Sequence, residues 1–215
     1  MGSKTTLYIA RHGETTMNAD HITMGQLDSP LTKKGLAQVE RLRDELSGVD
    51  FDAVYSSDLT RCVRTATIVL GSKSLPITET KAMRERYFGP LEGKPAELYA
   101  QLRRIKDKEY QALSKAKRWQ YKYAPELESD ADVYRRVIEA VYEIIRDNQG
   151  KTVLIVTHSG PARLLLIGLG YFTETQLPGG SFKNGQYCIL EHHDGAFKFA
   201  GIFPESPDTE RLTTE

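Results

Sequence analysis

The sequence is short of cysteine. It has two in 215 residues, Cys62 and Cys188, far apart and in no CxxC pair. That argues against a disulfide scaffold and for a reducing, cytoplasmic setting. It has no excess charge of either sign, with 29 Lys and Arg against 29 Asp and Glu. No global field therefore draws nucleic acid or a membrane surface, and neither is expected as a partner. No apolar run approaches the length of a membrane span, and the N-terminus has no basic-then-apolar signal. Internal repeats and low-complexity tracts are missing too. Residues 1–6, MGSKTT, do fit the N-myristoylation pattern. A strand that starts at once leaves no free arm to reach a membrane.

What is present suits a globular protein, with 40% hydrophobic and 27% charged residues. The length is enough for one domain, 1–215, with a substantial core. Thr6–Ala10 reads as a short buried strand. Thr32 can cap a helix with Leu36, Val39, Leu42 and Leu46 on one face, which Gly48 can end. Phe51–Tyr55 is a second strand, and Ser57 or Asp58 can cap the helix that runs on to about Gly71. Residues 75–79 make a third, shorter strand. Asp130 or Asp132 opens a long helix with Val133, Val137, Val141 and Ile145 at i+4 spacing, closing at Gly150. Thr152–Thr157 is apolar on both faces, as central parallel strands are, and a helix follows to about Leu169. Gln186–His192 and Ala196–Phe203 flank Asp194-Gly195, a two-residue hairpin signal, and a polar, loose tail follows from Pro204. The expected fold is a three-layer α/β/α sandwich with a mostly parallel central sheet, a helical cap insertion (95–128) over the active site and a C-terminal hairpin.

Residues 95–128 interrupt the alternation. Arg103, Arg104, Lys106, Lys108, Lys115, Lys117, Arg118 and Lys122 are interleaved there with Tyr110, Trp119, Tyr121 and Tyr123. An amphipathic helical insertion with a solvated basic face is the simplest reading. A nucleic-acid surface is a weaker one, and a lid over an acidic substrate is a third.

Ligands of open α/β sheets sit outside the carboxyl ends of the strands. His12 follows the first strand and His158 the clearest one, so both stand at one edge of the sheet. If their strands are neighbours, the imidazoles meet. Arg11 and Arg61 stand near the same edge, and together these groups suggest an anion site, most simply for phosphate. Each alone has a plainer reading: a hydrogen-bonded loop histidine, a surface arginine, a snorkelling Arg11. A metal site needs further carboxylate or cysteine ligands at fixed spacing. No HxH or HxxxH pattern occurs, so no metal is expected, and His192-His193 reads as an exposed pair. Ser159-Gly160 lacks the GxSxG elbow of a serine hydrolase. Gly13 reads as a residue that lets backbone approach an anion.

Five segments in order resemble the histidine phosphatase superfamily, the cofactor-dependent phosphoglycerate mutase-like proteins. They are RHGETTMN (11–18), GQLDSPLTKKG (25–35), YSSDLTRCVRTA (55–66), MRERYFGPLEG (83–93) and VTHSGPARLL (156–165). Only the insertion and the tail fall outside. The resemblance implies that His12 is the nucleophile that becomes phosphohistidine. It implies that Arg11, Arg61 and His158 hold the transferring phosphoryl group and that Thr15 and Asn18 add hydrogen bonds. Gln26, Arg86 and Ser159 join the expected phosphate-binding set. Glu85 would protonate the leaving oxygen and then activate water. From spacing alone, Glu85 reads as a salt-bridge partner of Arg84 or Arg86.

These roles agree with phosphoryl transfer, which relies on positioning and charge stabilisation. Two arginines supply charge and also favour a neutral, nucleophilic His12. A phosphate dianion beside Glu85 favours its protonated form. The chain departs from the family pattern at Ser159, where the family usually has glycine. The aspartate that the acid phosphatase branch places after this histidine is missing. A mutase also tends to carry an arginine pair followed by prolines; Arg103-Arg104 is here without them. ELESDADVYRR (126–136) resembles instead a GES…D…R stretch of phosphatase-like members, with Leu127 in place of the glycine. The expectation is a phosphatase of a small phosphate monoester that needs no cofactor. The alternatives are a mutase, which would use 2,3-bisphosphoglycerate, and a non-catalytic phospho-ligand binder. Nothing in the sequence decides between monomer and homodimer.

Overall fold

The computed structural model describes residues 3–204. Gly2 of the myristoylation pattern and the tail beyond Pro204 lie outside the described residues. In chain order the elements are β1 (Thr5–Arg11), α1 (Thr16–Ala19), α2 (Lys33–Glu45), β2 (Ala53–Ser57), α3 (Thr60–Leu70) and β3 (Ile77–Thr80). Then come α4 (Ala96–Gln111), α5 (Lys115–Trp119), α6 (Asp130–Asp147), β4 (Thr152–Thr157), α7 (Ser159–Gly168), β5 (Tyr187–His193) and β6 (Ala196–Phe203).

The six strands form one sheet in the order β3-β2-β4-β1-β5-β6. β1 to β4 run parallel; β5 is antiparallel to β1, and β6 to β5. β4 is central, and its alternate residues serve both faces. Val153 and Ile155 pack with Leu7, Ile9, the α6 residues Val133, Val137, Val141 and Ile145, and α7. Leu154 and Val156 pack on the other face with Ala10, Val39 and Leu42 of α2, and Cys62 and Ala66 of α3. The expected three-layer sandwich is therefore present, with the cores on opposite sides of one sheet. The β5–β6 hairpin turns through Asp194 and Gly195, both at positive φ (49° and 80°), as a type I′ turn requires.

Several boundaries differ from expectation. The second strand is 53–57 rather than 51–55. Phe51 instead packs edge-on against Tyr8, and the Asp52 carboxylate accepts from the Thr152 N–H. The strand runs on through Ser57, so neither Ser57 nor Asp58 caps the next helix. Leu59 holds the N-cap position with no side-chain cap. The cap comes from Asp28, whose Oδ2 accepts from the Thr60 N–H and hydroxyl, both at 2.6 Å. α6 is capped by Ser129, with Asp132 completing a capping box from inside the helix. The third strand is 77–80. α2 ends at Glu45 with Leu46 as its C-cap, two residues before Gly48.

The insertion contains α4 and α5. α4 buries no residue fully, and Ile105 is 78% exposed. Its aromatic rings pack on one another. Tyr110 stacks on Tyr123 at 5.7 Å and meets Tyr121 at 5.6 Å; Trp119 sits edge-on against Tyr134 of α6. Many of its cations have partners: Arg104 with Glu97, Lys106 with Glu109, Lys122 with Asp132. Arg118 donates to the carbonyls of Tyr110 and Leu113, tying α5 to α4.

Candidate active site

The register of β1 against β4 pairs Arg11 with Thr157. The next residue on each strand is therefore a histidine. The His12 N–H donates to the Thr157 carbonyl at 3.1 Å, and the two imidazoles meet edge to face at 5.1 Å. His12 is 2% exposed and His158 not at all.

His12 Nδ1 lies 2.7 Å from the Gly13 carbonyl. A carbonyl only accepts, so Nδ1 carries the proton and Nε2 keeps its lone pair. The Arg61 Nε–H donates to His158 Nδ1 at 3.3 Å, so the proton of His158 is on Nε2, 3.0 Å from the Ser57 hydroxyl. Cys62 Sγ lies 3.4 Å from that nitrogen, and burial pushes the thiol far up, keeping it protonated. Both imidazoles are held well below the ordinary histidine value. Burial is the main cause, followed by the positive charge of Arg61. Arg11 adds to the effect on both. Both are therefore neutral near pH 7.

Arg61 is 1% exposed. Its guanidinium also donates to the carbonyls of Leu27 (2.6 Å) and Gly25 (2.7 Å) and reaches Asp28 at 3.3 Å. Arg11 donates from Nη1 to the Phe182 carbonyl at 2.6 Å, and its buried Nε has no partner among the described residues. Burial lowers it to about 10. A desolvated cation with an orphaned donor is the signature of a place for an anion.

Glu85 is not the salt-bridge partner of either neighbour. Arg84 pairs with Asp58, and Arg86 with Asp130. The Glu85 carboxylate accepts instead from two backbone donors, Arg86 N–H at 2.7 Å and Gly160 N–H at 3.2 Å. The second lies in the first turn of α7, so the carboxylate stands at the helix N-terminus beside the histidines.

The other expected phosphate-binding residues bond within the protein. The Thr15 hydroxyl caps α1, accepting from Asn18 N–H, and donates to Met24 Sδ. Asn18 Oδ1 returns the capping bond to Thr15 N–H, and Asn184 approaches it at 3.5 Å. Gln26 donates to the Glu85 carbonyl and accepts from Arg84, so it supports the Glu85 loop. Arg86 also reaches the Glu128 carbonyl, and the Ser159 hydroxyl donates to Phe182 O, which Arg11 shares. The reading of Gly13 needs correction. A Cβ there would lie 2.6 Å from the Gly35 carbonyl and 2.7 Å from Val39, so Gly13 lets β1 approach α2.

Four supporting residues are not recognised as site residues from the sequence. Ser57 and Asp28 lie inside quoted segments, but only the fold shows that they hold His158 and Arg61. Asn184, which donates to the His12 carbonyl at 3.0 Å, sits in a loop with no recognisable pattern. Arg136 reaches the Glu85 loop from α6.

Residues 7–203 match the family model described as histidine phosphatase superfamily (branch 1). The chain belongs to that superfamily. It is 30% identical over 163 residues to an adenosylcobalamin/alpha-ribazole phosphatase of Escherichia coli (strain K12), covering 76% of this chain and 78% of that one. A 2,3-bisphosphoglycerate-dependent phosphoglycerate mutase of Thermobifida fusca (strain YX) is 29% identical, with 88% and 87% covered. The solved structure of Bacillus stearothermophilus YhfR is 33% identical, with a TM-score of 0.80 and coverage of 95% and 98%. Relatives named as phosphatases and as mutases thus stand together in this superfamily. No helix among the described residues is long and apolar enough to cross a membrane.

Proposed function

We propose that this histidine phosphatase hydrolyses a small phosphate monoester through a phosphohistidine on His12. The observation that carries the reading is the tautomer of His12, a buried neutral imidazole with its Nδ1–H held by the Gly13 carbonyl. That leaves Nε2 as the nucleophile. Nε2 attacks phosphorus, the bond from phosphorus to the ester oxygen breaks, and that oxygen takes its proton from Glu85. Glu85 then removes a proton from water, whose oxygen attacks phosphorus. The P–N bond breaks, releasing inorganic phosphate and free His12. Arg11, with its orphaned Nε, offsets the charge spread over the phosphoryl oxygens, and Arg61 adds its field.

No cofactor takes part in this sequence; 2,3-bisphosphoglycerate enters only if the phosphoryl group returns to a second acceptor. The insertion holds a groove of about 400 Å³ lined by Arg103, Arg104, Tyr110 and Tyr123 among others. Because the insertion's rings pack on one another, we read them as lid structure, not as a platform for stacking a base. The free, buried thiols of Cys62 and Cys188 suit a reducing cytoplasm.

The test is a panel of phosphate esters assayed for released phosphate, with the His12→Ala protein as control. Release from at least one ester by the wild type, and not by the variant, is expected. Isomerisation of phosphoglycerate primed by 2,3-bisphosphoglycerate, with no phosphate release from any ester, would replace the phosphatase with a mutase.

A further inference from the structure

Three arginines surround Glu85 in the sequence and the fold, and their side-chain bonds go elsewhere than its carboxylate. Arg84 is committed to Asp58 and Arg86 to Asp130. Arg136 projects from α6 and uses five donor bonds. Nε and Nη2 grip the Glu128 carboxylate, each at 2.9 Å. Nη1 donates to the carbonyls of Ala82 (2.8 Å) and Arg84 (2.6 Å), and Nη2 to that of Glu85 itself (3.0 Å). A guanidinium has five N–H groups, so this one is saturated. Glu128 then completes the hold by accepting from Tyr87 N–H at 2.8 Å. The loop is thus pinned on both sides of Glu85.

We propose that Arg136, with Glu128, is a positioning residue for Glu85. The loop's backbone decides where the carboxylate stands. One of that carboxylate's two donors, Arg86 N–H, belongs to the pinned loop, and the other, Gly160 N–H, belongs to α7. Arg136 is anchored in α6, between the buried Val133 and Val137, and α6 packs with α7 in one core. The residue therefore fixes the loop relative to the helix that carries the second donor. A lysine cannot replace it, because a single ammonium lacks the planar fork that reaches a carboxylate and three carbonyls together. This inference rests on Glu85 being the general acid.

The experiment compares two substrates in the full-length protein. p-Nitrophenyl phosphate has a leaving group that departs with little help from a proton. An alkyl phosphate, taken from the esters the wild type hydrolyses, needs the acid. Arg136→Lys and Glu128→Gln are expected to lower kcat/KM, which reports phosphoryl transfer to His12 and departure of the leaving group, by about tenfold or more on the alkyl ester. On the aryl ester kcat/KM should fall less than about threefold; kcat on either ester also contains the hydrolysis of the shared phosphohistidine, in which Glu85 is the base. Equal losses of kcat/KM on both esters would overturn the proposal, because a merely structural role gives no preference. Glu85→Gln separates the two readings. If its kcat/KM shows no alkyl-over-aryl loss, the acid role itself fails. If it does and the other variants do not, only the positioning role fails. Adding Arg136→Lys to Glu85→Gln should bring no further selective loss. If Arg136→Lys does not fold, Glu128→Gln decides on the same criterion, since it keeps the side-chain volume.

Discussion

A methyl group added at Gly160 would lie 2.2 Å from Glu85 Oε1, the free end of a side chain. The carboxylate can swing away, so the cost falls on function and not on the fold. Gly160→Ala is expected to reduce kcat by up to about 100-fold, as a displacement near 1 Å can, with little change in the melting temperature. Gly35 is the opposite case. Its Cβ would meet the Glu14 carbonyl at 2.0 Å, and that backbone has nowhere to go. Gly35→Ala should cost about 3 kcal/mol of folding stability, read by urea unfolding. The sequence gives both positions the same letter. The difference lies in whether the neighbouring atom is backbone or the tip of a carboxylate, which only the packing reveals. The same holds for Gly13, which serves helix packing rather than an anion.

Among the elements, α3 depends on a residue more than thirty positions away. Asp28 caps its first turn and contacts Arg61, which is also held by Gly25 O and Leu27 O. Asp28→Ala should remove the cap and lower stability by about 1 to 2 kcal/mol, while Asp28→Asn keeps an accepting oxygen and loses less. Equal losses in urea unfolding would show that the charge, not the cap, matters. Long-range capping explains why the sequence around Ser57 and Asp58 does not reveal the cap of α3. A cap two residues upstream leaves a local signature, and Asp28 leaves none. β4 is legible end to end because six apolar or β-branched residues between Lys151 and His158 fit little else. α6 is legible through its i+4 valines and opens at Asp130 as expected, with Ser129 as its N-cap.

At the scale of the whole molecule, the sequence put His12 and His158 at strand ends but could not say that the strands are neighbours. That depends on the order β2-β4-β1, set by crossovers of more than forty residues. The sheet then buries both imidazoles beside two guanidiniums, and this has a consequence for folding. In the unfolded chain each histidine titrates near the ordinary value of about 6.5. In the native state both are held well below it, by burial first and Arg61 next. As pH falls through that value, the unfolded chain takes up protons that the native protein refuses, so stability declines toward acid. Each histidine contributes a slope of up to about 1.4 kcal/mol per pH unit. The lowered carboxylates Asp28, Asp58 and Asp132 act in a separate, more acidic window: their contribution is complete above the ordinary aspartate value and is lost below it. Urea unfolding between pH 7.5 and 5 should therefore show falling stability before those aspartates matter. His12→Gln, which cannot titrate, should remove about half of the histidine-linked slope. A flat profile in the wild type, or an unchanged slope in the variant, would mean that these imidazoles are not buried neutral.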